Sequence, residues 1–148
     1  MKRREARDSA FLLIFEKSFK DEPIDEIIEN AELCRGISLD DYAAKLVNIT
    51  VENIDELDRK IEQHLSNWKL PRLPKVTLAA LRIAFCELNY FPDIPVRVSI
   101  NEAIDLAKKY GTEDDASYVN GVLGSYVKEF TPVKDVQEEI VDDDKKKD

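Results

Sequence analysis

The stretch KVTLAALRIAFCELNYF (75–91) decides the fold. Val76, Leu78, Ala79, Leu81, Ile83, Ala84, Phe85 and Leu88 put apolar groups nearly all round a helix, and no single solvent-facing stripe is left. Such a helix is stable only where other elements cover it on every side, so this one is predicted to be the central, most buried element. Two charged residues, Arg82 and Glu87, interrupt it. Buried charge needs a partner, so each either pairs internally or faces another protein.

Reading outward, WKLPRLP (68–74) carries two prolines three residues apart, a spacing that no helix continues through without losing hydrogen bonds. It marks the expected boundary between an N-terminal helical lobe over 1–70 and a C-terminal lobe over 71–130. Upstream, residues 3–20 have helical period, with Ala6, Ala10, Leu13, Ile14 and the stem of Lys17 on one face. Pro23 opens a second helix, which Gly36 stops in the left-handed conformation. Ser38–Asp41 leads into a long helix with Tyr42, Leu46, Ile49, Ile54, Ile61 and Leu65 along its stripe. Downstream, Pro92 and Pro95 force a turn. Ser99-Ile-Asn-Glu102 reads as a capping box, so Ser99 is expected to start a helix ending at Gly111. Thr112 and Asp115 form a second such box, entering a helix over 115–130. From Thr131 onward charge replaces periodicity, and DDDKKKD closes a predicted disordered tail over 131–148. The architecture expected is all-α, two packed helical lobes of about six or seven helices.

Composition narrows the function. The 148 residues include 43% hydrophobic and 36% charged side chains but only four glycines, none in a phosphate-cradling motif. No run reaches the roughly 18 apolar residues of a membrane span, and the FLLIF run is too short for a secretory leader, so the chain is expected to be cytoplasmic. Cys34 and Cys86 are expected to be buried, reduced thiols. The single His64 has no cysteine or histidine near it, which argues against a metal site and against nucleophilic catalysis; a mid-helix surface position accounts for it. The carboxylate pairs lie at helix starts or in the tail and read as dipole complement and solvation. No enzyme and no cofactor are expected.

The charge is uneven. The chain carries a formal −9, yet residues 1–20 hold six cations and three acids, a net of +3. An acidic protein repels polyanions at long range, so any nucleic-acid contact is confined to a local patch. On a helical wheel Arg4, Phe11, Phe15 and Ser18 fall along one side, with Arg3 and Arg7 beside them. Arginine forks and aromatic faces suit single-stranded RNA; the alternative is a solvated helix start with Phe11 and Phe15 in the core. In TEDDASYVNGVLGSYV (112–127) helical period runs through Gly121 and Gly124, which close approach of another helix explains. Tyr118, behind Asp114 and Asp115, is either packed or exposed to stack on a base.

RREAR (3–7), LRIAFCEL (81–88), IPVRVSINEAIDLAKKYG (94–111) and YVNGVL (118–123), in that order, resemble the NusB family of transcription antitermination factors. The resemblance covers roughly residues 2–130. It implies an all-helical, two-lobed, non-catalytic protein that holds boxA-type single-stranded RNA together with NusE, a small-subunit ribosomal protein, in rRNA antitermination and ribosome assembly. Other antitermination factors and RNA polymerase are implied as indirect partners, and some family members form homodimers. Carried over by position, RNA contacts fall on Lys2, Arg3, Arg4, Arg7, Phe15, Asp114 and Tyr118, and a protein-partner contact falls on Glu87. Glu5 interrupts what is elsewhere a longer arginine run, and Phe15 stands where tyrosine is frequent. The competing reading is a helical protein-interaction scaffold that makes no direct RNA contact.

Overall fold

In the computed structural model, residues 2–129 are described, and among them the regular structure is entirely helical. The order is α1 (Arg3–Lys17), α2 (Ile24–Arg35), α3 (Asp41–Glu52), α4 (Ile54–Glu62), a short 3₁₀ turn (Leu70–Arg72), α5 (Lys75–Tyr90), α6 (Val96–Tyr110) and α7 (Glu113–Glu129). The predicted disordered tail lies outside the described residues.

α5 is the axis. Every residue from Thr77 to Leu88 is buried, and the helix packs against α1, α3, α4, α6 and α7. Its three buried polar side chains fall at 77, 82 and 87. At 3.6 residues per turn, a five-residue step rotates a side chain by about 140° relative to the last. The three therefore leave the helix in different directions, and each meets a different neighbour. Thr77 donates to Asp115 of α7 at 3.1 Å. Arg82 makes a two-pronged pair with Asp58 of α4 at 2.9 and 2.8 Å. Glu87 reaches α1, α3 and α6. Both buried charges of the central helix are thus paired internally. Buried apolar side chains from both sides of the Pro71–Pro74 connection join one continuous core.

Local chemistry accounts for most boundaries. The Glu5 carboxylate accepts from the Lys2 backbone N–H at 3.1 Å, so the acid that interrupts the arginine run caps the helix carrying it. Pro23 precedes α2, and Gly36 closes it at φ 68°. Asp40 accepts from the Ala43 N–H at 2.8 Å to start α3. The expected long helix is divided at Asn53, whose backbone leaves the helical region at φ −114°, ψ 23° while its side chain donates to the Ile49 carbonyl. At the start of α7, Thr112 and Asp115 exchange side-chain-to-backbone hydrogen bonds at 2.9 and 3.1 Å, as the capping box predicts.

Four expectations are corrected. α6 begins at Val96 behind Pro95, so Ser99 lies inside it as a buried donor to Glu87; fixed proline geometry sets the start, and the tertiary acceptor claims the hydroxyl. His64 stands just beyond α4, not within a helix, and its ring is only 5% exposed, bonded to Ser125 at 2.9 Å and edge-on to Tyr126. Cys34 is exposed; Cys86 is buried, and that burial pushes its thiol up to about 12. Gly121 and Gly124 are exposed, and among the described residues no atom of another element lies within 4 Å of an added Cβ, so no described helix packs against them.

Because no described residue occupies that space, Gly121→Ala and Gly124→Ala should each stabilise the fold by about 0.5–1 kcal/mol through helix propensity. Gly36→Ala, at positive φ, should instead destabilise it. Urea denaturation of the three single variants checks both signs.

Candidate nucleic-acid interface

The first turns of α1 hold the cation cluster, but its members have different environments. Arg7 is 4% exposed, and its Nε donates to Glu87 Oε2 at 2.7 Å. The same oxygen accepts from the Tyr42 hydroxyl, and the other Glu87 oxygen accepts from Ser99 at 2.7 Å. Glu87 itself is 1% exposed. Placed on a partner-facing surface by position alone, it is instead an interior residue, because its carboxylate serves donors from three helices. Arg7 likewise belongs to the interior pair rather than to the solvent face.

Arg3 and Arg4 are the accessible arginines. The Arg3 guanidinium lies 3.9 Å from the centre of the Tyr42 ring. Arg4, with its side chain 70% exposed, donates to Glu102 at 2.9–3.3 Å and to Asp105 at 3.1 Å, both on α6. Lys2 is exposed beside them. Further along α1, Phe11 is buried between the rings of Tyr110, at 5.0 Å, and Phe15, at 6.1 Å. Phe15 is half-buried, and Phe19, 61% exposed, meets it edge-on at 5.1 Å. Phe11 thus takes the core role of the alternative reading, whereas Phe15 keeps part of its ring at the surface.

Tyr118 and Asp114 lie on α7, away from the α1 start in sequence. Tyr118 is half-buried, and its hydroxyl donates to the Ser66 carbonyl at 2.8 Å and accepts from the Ser66 N–H at 3.2 Å. These bonds pin the turn in which Asn67, at φ 72°, precedes Trp68. Trp68 is 51% exposed. With Leu73, Pro74, Asp114 and Tyr118 it lines a cleft of about 200 Å³. In the sequence the one signal for this cleft is a lone tryptophan in a proline-rich connection.

Several separate concavities lie between the two regions. A concavity of about 420 Å³ between α1 and α6 contains Arg4, Asp8, Lys108 and Lys109. Lys108 also lines a second, of about 210 Å³, with Ser117 and Asn120 of α7. Ser117 and Tyr118 line a third, of about 340 Å³, and Tyr118 also lines the Trp68 cleft. These are four separate concavities that share single lining residues, Lys108, Ser117 and Tyr118, between the cationic start of α1 and the aromatic pair of the Trp68 cleft.

A helical chain with these blocks in this arrangement has counterparts among known proteins. The family model described as NusB family matches residues 4–128. This chain belongs to the NusB family. The transcription antitermination protein NusB of Clostridium novyi (strain NT) is 41% identical over 132 residues, spanning 86% of this chain and 99% of that protein. A crystal structure of the antitermination factors NusB and NusE in complex with dsRNA is similar with a TM-score of 0.77 and 34% identity, over 86% of this chain and 97% of the matched one. T. maritima NusB matches with a TM-score of 0.80 and 33% identity, over 95% and 98% of the two chains. Family membership and the all-helical fold therefore agree with the resemblance read from the sequence. Among the described residues no helix is long and apolar enough to cross a membrane.

Removing one member of the buried pair leaves an uncompensated interior charge. Glu87→Ala should cost about 3–5 kcal/mol, whereas Arg3→Ala, at an exposed cation–π contact, should cost about 1 kcal/mol or less. Chemical denaturation distinguishes them. Burial first, then the Glu87 carboxylate, pushes the Tyr42 phenol well above the ordinary tyrosine range. Its folded value is raised, so its contribution to stability is full below the unfolded value near about 10 and is lost as pH rises above it. Tyr42→Phe should flatten the alkaline fall in stability, measured by thermal melts across that range.

Proposed function

We propose that this protein is an RNA-binding transcription antitermination factor that works with the ribosomal protein NusE on boxA-type single-stranded RNA, in rRNA transcription and ribosome assembly. Family membership supports this, as does the relative solved with NusE and dsRNA. The observation from this chain that carries the reading is the exposed Arg3/Arg4 turn, with Arg4 at the rim of one concavity and the Tyr118 and Trp68 rings lining a separate cleft. Phosphates engage Lys2, Arg3 and Arg4, and unstacked bases meet the Phe15, Tyr118 and Trp68 rings. Asp114 accepts hydrogen bonds from base amino groups. Arg7 contributes by holding the turn in place through Glu87. The role is adaptor-like and non-catalytic, and its setting is the cytoplasm.

A net charge of −9 opposes phosphate binding at long range, so the isolated protein should bind weakly and a basic partner should raise its affinity. Fluorescence titration of a boxA-like RNA across a salt series, with and without NusE, tests this. Arg3→Ala and Arg4→Ala should each reduce the log–log salt slope by up to about 0.7, the single-strand value per phosphate contact. Trp68→Ala should weaken binding by about 1–3 kcal/mol if a base stacks there, with little change in slope. Unchanged RNA affinity and slope in an Arg3→Ala/Arg4→Ala variant that still binds NusE would favour the protein-scaffold reading.

A further inference from the structure

Arg4 is an exposed cation of the α1 turn held by two carboxylates. Its Nε lies 3.2 and 3.3 Å from the two oxygens of Glu102, and its Nη2 lies 2.9 Å from Glu102 and 3.1 Å from Asp105. Both acids project from α6, where they sit three residues apart and so share a face. Glu102 is 17% exposed and Asp105 53% exposed, against 70% for Arg4. The same concavity repeats the pattern with the opposite pairing of helices: Lys109 of α6 donates to Asp8 of α1 at 2.9 Å. Two side-by-side carboxylates offer a guanidinium the acceptors that a phosphate would offer, in the same forked geometry.

We infer that Glu102 and Asp105 form an intramolecular phosphate mimic that masks Arg4, so that RNA reaches this arginine by exchanging with the two carboxylates. This rests on the RNA-binding reading above and adds specificity-determining residues to it. Exposed ion pairs contribute little to stability, so opening them costs little and leaves the helices packed. The exchange makes affinity depend on a ligand able to replace both acids at once. A scattered polyanion contact does not meet that demand, and the mask thereby suppresses indiscriminate binding. Arg7 differs because its acid, Glu87, is interior and exchanges with nothing.

The test uses the full chain with Glu102→Gln/Asp105→Asn, with Asp105→Asn alone as a milder variant whose site is half exposed. Thermal melts establish folding. Two probes are titrated: single-stranded RNA carrying the boxA-like sequence, and inorganic tripolyphosphate. The double variant should bind RNA about three- to tenfold more tightly, with a log–log salt slope steeper by up to about 0.7, and Asp105→Asn should gain part of this. Adding Arg4→Ala should remove the gain. Glu26→Gln/Glu29→Gln, on the exposed side of α2, makes the same change in net charge and should leave the slope unaltered. Absence of a gain, a gain that survives Arg4→Ala, or an equal gain from the α2 variant overturns the mask. If no variant binds RNA but the double variant alone takes up tripolyphosphate through Arg4, the mask stands and the RNA-binding reading fails.

Discussion

The carboxylate of Glu87 is the point on which the molecule depends. It sits 1% exposed on the central helix and takes hydrogen bonds from Arg7 of α1, Tyr42 of α3 and Ser99 of α6. A buried charge of this kind is tolerated only when its acceptor capacity is filled, and here three separate helices fill it. The requirement works in both directions. It fixes where α1, α3 and α6 meet around α5, and it makes each donor's position a condition for burying the others. Thr77 and Arg82 play the same part toward α7 and α4, with one partner each. Apolar packing alone would hold these helices together, but non-directionally; the three polar anchors define rotation and height along the axis.

The anchoring also shapes the surface. Arg7 is drawn inside, which holds the first turns of α1 against α5 and leaves Arg3 and Arg4 at the rim. Arg3 rests on Tyr42, itself bound to Glu87, and Arg4 is clasped by Glu102, which lies 4.0 Å from Arg7. Interior and rim thus form one polar network, graded from a permanent pair at its centre to exchangeable pairs at its edge. In a chain with net charge −9, this gives a cationic surface that is local, pre-positioned and partly neutralised in the unbound protein.

Much of this is legible in the sequence. The all-round apolar pattern of 75–91 identified the central helix, prolines and Gly36 punctuated the elements, and Thr112/Asp115 capped α7, because each of these effects acts within a few residues. The errors were also local rules, applied where a distant group prevailed. Ser99 matched a capping box and instead serves Glu87, twelve residues upstream. Gly121 and Gly124 suggested a close helix contact, yet no described helix packs against them. Trp68 lay in a segment read only for its prolines, and its exposure follows from a turn pinned by Tyr118, fifty residues away.

By itself, the sequence determined an all-helical chain wound round residues 75–90, a cationic start in an acidic protein, and the blocks that mark the family. Hydrophobic period, proline geometry and net charge depend only on residue order. Which arginine is structural and which is available was decided by the tertiary structure alone. Arg3 and Arg7 are four residues apart on one helix face, and nothing in that spacing distinguishes them. The difference arises because α5 brings Glu87 under Arg7, α3 brings a tyrosine ring under Arg3, and α6 brings Glu102 and Asp105 to Arg4. Burial and charge partners are properties of neighbours in space, and they divided one run of arginines into an anchor and an exposed surface.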